Sequence, residues 1–469
     1  MPLNTSNSVR HLRAAWVLPI SGPPIENGEV VIEADRIVEV RPATGSNPPN
    51  CTEFGQAIIM PGLVNVHTHL DYTLMRGLLE DIEFFPWIRQ LTARKAAITW
   101  EDWVASATIG AAEAIAGGIT TIGDCTDSGS ALYGARTLGL SGVIYQEVFG
   151  IDESTPVETI LQELGAKVHN LEEAAGNTRL EIGVSPHAPY TVRPALMAGL
   201  AQYAREKNLK LCIHAAESQA EAELIRWGTG PIAEMFDRRG ITWQLPRTGA
   251  VTYLNSLGVL GRNTLLVHGV QLAAEERAAL QSAGVAWAHC PKSNAKLGNG
   301  VADLGMLGLE AARKAATGPP RIGLGSDSVA SNNNMDLFEE MRFAVLMQRG
   351  VQRKISALTA QEAVEMATIG GAKSLGLDAE IGSLESGKVA DLCVVGIGDV
   401  HSGPCYDAYS TLVYSAHASD VVQTVIGGVT KFDAMTARGA NRFPDFDITS
   451  AMRRMSAAAQ VMREWRPAE

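Results

Sequence analysis

The stretch that decides the fold is Pro61-Gly-Leu-Val-Asn-Val-His67-Thr-His69, which completes an apolar run that begins at Ala57. The run from Ala57 to Val66 is typical of a buried β-strand. Two histidines follow where this strand ends, and alternate residues of a strand point to the same side. Both imidazoles can therefore face one metal ion. For this motif alone, the alternative is a pair of unrelated histidines at a strand end.

Apolar strands alternate with helical stretches from this point onward. The predicted strands are residues 57–66, 120–124, 142–148, 180–185, 210–213, 264–267, 284–288 and 321–325. Helices are predicted between several of them, at residues 100–116, 193–207 and 273–283. Eight strands that alternate with helices indicate a (β/α)₈ barrel of the TIM type. A doubly wound open sheet is the alternative, but no G-x-G-x-x-G follows the early strands to support its dinucleotide-binding form.

The two ends of the chain share a different pattern, in which short strands are separated by turn residues. Residues 10–55 are of this kind and are too few to bury a core alone. We therefore expect residues 1–57 and 380–445 to form one small β-sandwich domain. The central barrel would then comprise residues 58–379, and residues 446–469 are predicted to form an amphipathic helix on the surface or at a subunit contact.

The composition of the 469-residue chain is that of an ordinary globular protein, with 46% hydrophobic and 19% charged residues. A net charge of −12 argues against non-specific binding to nucleic acid. Six scattered cysteines form no C-x-x-C pair, so neither a disulfide framework nor a thiolate zinc site is expected. The start of the chain lacks the layout of a signal peptide, and no apolar run reaches membrane-spanning length. We expect a cytoplasmic protein with no membrane partner.

Histidines are concentrated at the ends of the predicted strands. Six of the ten lie there, namely His67, His69, His187, His214, His268 and His289. The carboxyl ends of the strands form one face of a barrel, which is where barrel enzymes hold their active sites. Any single one could be a hydrogen-bonded core histidine, but their shared position favours a common site.

Two acidic residues accompany these histidines. Glu217 lies three positions after His214, where a carboxylate near a metal suits proton transfer; the alternative is an acid favoured by the first turn of a helix. Asp327 ends the eighth predicted strand and could bind a metal ion and also accept a proton from bound water. The alternative role of Asp327 is to cap the next helix.

A four-residue set of three imidazoles and one carboxylate emerges from these positions: His67, His69, His214 and Asp327. Such ligands suit Zn²⁺ or Fe²⁺ rather than Ca²⁺ or Mg²⁺. Water on such an ion loses a proton near neutral pH, which predicts hydrolysis without a covalent intermediate. No G-x-S-x-G motif is present to suggest a serine nucleophile.

Together these motifs resemble the amidohydrolase superfamily, and the resemblance covers nearly the whole chain. Beyond the first motif it is carried by Ser185-Pro-His-Ala-Pro-Tyr-Thr, His214-Ala-Ala-Glu, Val267-His-Gly, His289-Cys-Pro-Lys-Ser-Asn and Gly325-Ser-Asp-Ser. The resemblance implies a distorted (β/α)₈ barrel with a β-sandwich built from both termini. The chain looks most like the branch that holds S-adenosylhomocysteine and methylthioadenosine deaminases and the triazine hydrolases (chlorohydrolases).

By this resemblance, one divalent metal ion would be bound by His67, His69, His214 and Asp327. Zn²⁺ is expected, with Fe²⁺ as the alternative. Binuclear relatives carry a metal-bridging lysine at the end of the fourth strand, and this chain has none there.

The resemblance also implies roles for the surrounding residues. Glu217 would carry a proton to a ring nitrogen, and His268 would help to orient the attacking hydroxide. Asp327 would take a proton from water and pass it to departing ammonia. His187 and Trp87 would contact the substrate.

The expected reaction is hydrolytic deamination, in which metal-activated water replaces an exocyclic amino group of a purine nucleoside, purine, pterin or triazine. One alternative is displacement of chloride or another leaving group from a triazine-type ring; another is a non-catalytic scaffold on the same fold. Similar nucleoside deaminases carry a ribose-binding acid about nine positions after the tryptophan that matches Trp87, and this chain has no acid there. A small-molecule substrate and a homodimer or higher homo-oligomer are expected.

Overall fold

The computed structural model describes residues 9–45, 47–435 and 442–465. The parts of the domain and helix predictions that fall on residues 1–8, 46, 436–441 and 466–469 lie outside the described residues. Within the described part, two eight-stranded sheets account for the strands.

The strands are short and most are buried. They are β1 (Arg10–Val17), β2 (Ile25–Glu33), β3 (Arg36–Pro42), β4 (Cys51–Glu53), β5 (Ala57–Pro61), β6 (Leu63–Thr68), β7 (Ile119–Thr126), β8 (Ser141–Val148), β9 (Leu180–Pro186), β10 (Leu211–Ala215), β11 (Thr264–His268), β12 (Ala286–His289), β13 (Ile322–Leu324), β14 (Leu392–Gly396), β15 (Val421–Ile426) and β16 (Val429–Asp433).

Helices follow most strands of the central region. They are α1 (Phe84–Lys95), α2 (Trp100–Ala116), α3 (Ser130–Leu138), α4 (Val157–Ala175), α5 (Pro194–Glu206), α6 (Gln219–Trp227), α7 (Pro231–Arg239), α8 (Ala250–Ser256), α9 (Arg277–Ala283), α10 (Pro291–Lys296), α11 (Leu304–Leu307), α12 (Leu309–Ala315), α13 (Val329–Asn332), α14 (Leu337–Gln352), α15 (Ala360–Met366), α16 (Ile369–Leu375), α17 (Ala408–Tyr414) and α18 (Thr449–Glu464). Short 3₁₀ turns occur at Leu70–Met75, Ala274–Glu276, Ile355–Ala357 and Ala418–Asp420.

Strands β6 to β13 form the barrel. They lie side by side in chain order, and all their pairings are parallel. A bridge between Thr68 and Asp327 connects the first strand to the segment that follows the last. The predicted (β/α)₈ barrel is therefore confirmed, and this bridge brings the two ends of the sheet together at the edge that carries the histidines.

The termini form the second sheet, in the order β16-β15-β14-β5-β1-β2-β3, with β4 paired to β1. Strand β14 lies antiparallel to both β5 and β15, while β1 runs parallel to β5. Apolar side chains from both chain ends, including Leu12, Ile59, Leu392 and Val425, share one buried cluster. The expectation that the two ends of the chain meet in one small β domain is thus confirmed.

The first predicted strand was wrong in one respect: residues 57–66 form two strands rather than one. Strand β5 pairs with β14 in the terminal sheet, so it does not belong to the barrel. Pro61 has no N–H with which to extend a ladder, and Gly62 then donates to Asp391 while Leu63 donates to Gly118. Both strands are buried, so their junction does not interrupt the apolar run from which one strand was predicted.

Helix α18 packs against the barrel rather than projecting from it. Ala458 and Met462 are buried in an apolar cluster that includes Trp87, Leu91 and Trp103. None of the described helices combines the length and the hydrophobicity that are needed to cross a membrane.

Candidate active site

The four predicted ligands converge at the carboxyl end of the barrel. His67 Nε2 lies 3.3 Å from Asp327 Oδ1, and His69 Nε2 lies 3.6 Å from the same oxygen. The ring of His214, from the fifth barrel strand, is centred 4.9 Å from that of His67. The closed barrel thus places residues that are up to 260 positions apart (67 to 327) around one small volume.

The chemistry of this group fits a divalent metal ion. The ligand atoms of His67, His69 and Asp327 all lie within 4.8 Å of one another, and so do those of His67, His214 and His268. His67 Nε2 is buried without a hydrogen-bond partner. A buried polar atom left unpaired is costly unless something binds it, and a metal ion is what imidazole and carboxylate donors at this spacing can bind.

Hydrogen bonds orient two of these ligands. The Nδ1–H of His214 donates to the carbonyl oxygen of His187 at 2.9 Å, which leaves Nε2 free for a metal ion. Oδ2 of Asp327 accepts hydrogen bonds from Ser293 at 2.6 Å and Ser331 at 3.1 Å. These bonds hold Oδ2 so that Oδ1 faces the histidines. Sequence analysis gave Ser293 no role, although it lies in the motif that begins at His289.

Glu217 and His268 form a second pair beside the ligands. Glu217 Oε1 lies 3.7 Å from His268 Nε2 and accepts a long hydrogen bond from Asn299 Nδ2 at 3.5 Å. On its other edge, His268 Nδ1 lies 2.9 Å from Asn294 Oδ1. Because an amide oxygen only accepts, Nδ1 must carry the proton and Nε2 is the unprotonated nitrogen. Asn294 therefore fixes the tautomer of His268, and sequence analysis assigned it no role.

The two acids of the site have opposite charge states, because burial dominates at Glu217 and the neighbouring His67 dominates at Asp327. Burial, together with the nearby charges of Asp327 and Glu221, raises the pKa of Glu217 well above its usual range. Burial acts in the same direction on Asp327, but the closeness and charge of His67 outweigh it and hold the pKa of Asp327 well below its usual range. Burial also lowers the pKa of His268 to about 4. The site therefore holds one neutral carboxyl group, one carboxylate and one neutral imidazole.

The two residues expected to contact substrate differ in their surroundings. His187 lies directly beside the ligands, with its ring centred 4.7 Å from that of His214, and its Nδ1 is 2.8 Å from Thr191 Oγ1. Trp87 is only 6% exposed and packs in the apolar cluster under α18. Little of the Trp87 indole is therefore open to a substrate. The sixth strand-end histidine, His289, is buried with neither ring nitrogen hydrogen-bonded.

Sequence analysis overlooked Glu147, which is the last residue but one of the third barrel strand. One of its carboxylate oxygens lies within 4.8 Å of ligand atoms of His69 and His214. The side chain is 3% exposed, and its Oε1 has no hydrogen-bond partner. Burial raises the pKa of Glu147 to about 8, against the opposing charge of Lys95. The sequence feature that could have identified Glu147 is an acidic residue inside an apolar strand.

A cavity of about 250 Å³ adjoins this side of the site. Its lining includes Tyr72, Lys95, Ala96 and Asp127. The Tyr72 ring stacks on that of His69 at a centroid distance of 5.3 Å, and Lys95 Nζ lies 2.7 Å from Tyr72 Oη and 3.2 Å from Asp127. Ala96 is nine positions after Trp87 and lines this cavity, at about the position where the family resemblance led us to look for a ribose-binding acid.

The barrel, the terminal sheet and this ligand group define a class of hydrolase, and comparison with known proteins identifies it. The model of the amidohydrolase family matches residues 58–431. The chain belongs to this family.

Individual relatives agree with that assignment. Over 425 residues the chain is 33% identical to a 5-methylthioadenosine/S-adenosylhomocysteine deaminase from Moorella thermoacetica, which covers 89% of this chain and 92% of the relative. A zinc-bound adenosine deaminase from Xanthomonas campestris superposes with a TM-score of 0.82 at 25% identity, over 97% of this chain and 98% of that one. An atrazine chlorohydrolase from Arthrobacter aurescens TC1, complexed with zinc, shares the fold with a TM-score of 0.79 at 21% identity, over 96% and 99% of the two chains.

These relationships confirm the predicted family and the predicted reaction class. The chain is a hydrolase that acts on carbon–nitrogen bonds, of the group that deaminates N-heterocycles. The arrangement of histidines and aspartate supports a divalent metal ion in this site.

Proposed function

We propose that the chain is a mononuclear, zinc-dependent deaminase that replaces an exocyclic amino group of an N-heterocycle by hydroxyl and releases ammonia. The observation that carries this proposal is the buried, neutral Glu217 beside the unprotonated Nε2 of His268, at the edge of the four-ligand group. When bound, zinc would lower the pKa of a water molecule in its open position and so supply the nucleophile near neutral pH.

Glu217 is suited to protonate the heterocycle. Its raised pKa keeps the proton on the carboxyl group at neutral pH, where it can donate to a ring nitrogen. Protonation of that nitrogen draws electrons from the adjacent carbon, which makes the carbon that carries the amino group easier to attack. Asn299, whose amide contacts Glu217 Oε1, helps to hold the carboxyl group in place.

Asp327 and His268 are suited to handle the protons of the attacking water. The low pKa of Asp327 keeps it ionised, so it can accept a proton and later pass it to the departing amine. His268 presents the unprotonated Nε2 because its Nδ1–H is committed to Asn294. That nitrogen can accept a hydrogen bond from water and orient it towards the substrate.

The relatives narrow the substrate to an aminated N-heterocycle. The Moorella relative is named for its action on 5-methylthioadenosine and S-adenosylhomocysteine, so adenine nucleosides head the substrate panel. Guanine, aminopterins, aminotriazines and chlorotriazines complete it, and chloride release would identify leaving-group displacement instead of deamination. The retained ligand set argues against a non-catalytic scaffold.

The direct test is to load the purified protein with zinc, count metal per chain by mass spectrometry and follow ammonia over this panel. We expect about one zinc per chain and ammonia from at least one aminated ring. A zinc-loaded protein that releases ammonia from none of them would overturn the proposal. Iron-loaded protein, tested in parallel, decides between Zn²⁺ and Fe²⁺.

We also propose that the enzyme forms a homodimer or a higher homo-oligomer and is cytoplasmic. This proposal rests on the family resemblance and on the composition of the chain. Light scattering on the eluting protein tests the oligomeric state, and fractionation of the host cell tests the location. A monomer at micromolar concentration would contradict the first part.

A further inference from the structure

Two acids approach the ligand group from opposite sides. Glu217 follows the fifth barrel strand and His268 ends the sixth, whereas Glu147 is the last residue but one of the third. His214, on the fifth strand, is close to both sides: its ligand atom lies within 4.8 Å of those of His268 and Glu147 in separate groups. A flat ring held over a metal ion at this place would have one acid at each edge.

Glu147 is an acceptor that lacks a donor. Its Oε1 is buried and has no hydrogen-bond partner among the described residues. Buried polar atoms in native proteins are nearly always paired. The nearby Lys95 is already engaged with Tyr72 and Asp127. A group on the substrate is the remaining candidate for pairing with Glu147.

The position of Glu147 limits which substrate atom it can meet. Its carboxyl group lies within 4.8 Å of ligand atoms of His69 and His214, so a ring held at the metal would meet Glu147 close to the reacting carbon. A sugar hydroxyl lies several bonds from that carbon and would not reach it. In a six-membered ring, the reacting carbon has two ring neighbours, of which one would face Glu217 and the other Glu147.

The geometry points to Glu147 as a residue that determines specificity, with an unpaired Oε1 that accepts a hydrogen bond from a ring N–H beside the reacting carbon. This inference rests on the proposed deaminase function. It selects a substrate class: amino-oxo heterocycles in which the amino-bearing carbon lies between an unprotonated nitrogen and an N–H. Guanine, isocytosine and aminopterins have this pattern. In adenine the corresponding neighbour of the reacting carbon is a carbon atom, which offers no N–H.

A requirement for a substrate N–H would separate this chain from relatives that act on adenine nucleosides. A site built to bind a substrate N–H discriminates strongly against rings that lack it, because a buried acceptor is then left unpaired.

The test compares zinc-loaded wild type with Glu147→Gln and Glu147→Leu on three rings: guanine, 1-methylguanine and adenine. Wild type should favour guanine over the other two by about a hundredfold in kcat/KM, as expected for a missing hydrogen bond in a buried site. The Leu variant should reduce this preference to about threefold or less while retaining zinc. The Gln variant keeps a neutral acceptor and should fall between the two.

Matched controls distinguish the possible failures. Glu163→Gln alters an exposed glutamate on α4 and should leave both zinc content and preference unchanged. Binding of the three rings by zinc-loaded Glu217→Gln, measured by calorimetry, reads the preference without turnover. The same measurement on Glu217→Gln/Glu147→Leu should show that the preference is lost.

Each other outcome has a definite meaning. Equal use of adenine and guanine by wild type would overturn the inference and leave the deaminase proposal standing. Loss of zinc in both Glu147 variants would overturn it by making Glu147 a metal ligand. If wild type released no ammonia at all, the deaminase proposal would fail, and calorimetry would still decide the role of Glu147: a preference that depends on Glu147 supports the inference, and its absence contradicts it.

Discussion

The two sides of the active-site face differ in how the groups on Asp327, His268 and Glu147 are held. Around Asp327 and His268, side chains such as Ser293 and Asn294 hold each group in one orientation. On the side of the third strand, Glu147 is buried with an unpaired Oε1, and the nearby Lys95 lines a cavity. The first side is organised before any substrate arrives, whereas the second side is completed by a ligand. We therefore interpret the side of Asp327 and His268 as the catalytic side. The side of Glu147 is interpreted as the recognition side, which binds the substrate.

Removing a metal ligand should have the largest effect on turnover. His67→Ala takes away an imidazole that lies 3.3 Å from Asp327, so we expect zinc binding to fall and turnover to drop on the order of a thousandfold or more, since the metal supplies the nucleophile. Metal content and ammonia release measured on the same sample test this. Full zinc occupancy in this variant would remove His67 from the ligand set.

Glu217→Gln should separate proton delivery from metal binding. The amide has the shape of the acid but no acidic proton, so we expect zinc to stay bound and turnover to fall about a hundredfold or more. Wild-type activity with zinc retained would contradict the role of Glu217.

The raised pKa of Glu217 also predicts a pH dependence of turnover. The neutral acid is the active form, so its contribution is complete below the raised pKa and is lost as pH rises through it. We expect a falling alkaline limb in kcat that is absent from Glu217→Gln. A limb of the same position and size in that variant would assign it to another group.

Asn294→Ala should lower activity by less than the loss of a metal ligand does. His268 would lose the acceptor at 2.9 Å that fixes its tautomer, and loss of such an orienting partner costs about ten- to a hundredfold in activity. Asn294→Asp keeps an acceptor and should restore much of the rate. If both variants lost activity equally with zinc retained, the tautomer argument would be wrong.

The smallest effect on chemistry is expected on the recognition side. Met462→Ala empties a buried position beneath α1, the helix that carries Lys95 into the cavity, and should lower the free energy of unfolding by about 2–5 kcal/mol. We expect KM to rise a few-fold while kcat and zinc content stay near wild type. A large fall in kcat instead would show that the two sides of the site are mechanically coupled.

Much of the catalytic side was predictable because its residues lie at the ends of strongly apolar strands. The barrel and the family were confirmed, and the structure brings His67, His69, His214 and Asp327 together as the motifs predicted. The roles of these residues stay predictions.

The recognition side was harder to predict because its residues form no recognisable pattern in the sequence. Glu147 belongs to no motif, and an acid in a strand gains meaning only when the barrel places it beside His69. Trp87 matched a family pattern, but its burial depends on α18, which lies more than 360 positions away (87 to 449). The break at Pro61 was concealed because burial is continuous across it.

That break has a consequence for how the protein could be divided or recombined. Only Gly62 separates the last residue of β5 from the first residue of β6, and a Cβ at this glycine would lie 2.2 Å from Thr120 Cγ2. The strand that presents His67 is therefore tethered directly to the terminal sheet through a joint with no room for a longer or bulkier spacer. We therefore expect that the barrel cannot be transferred to another protein without the terminal sheet. Excision of that sheet, or its exchange for that of a relative, would move the residues that hold the strand of His67 in place.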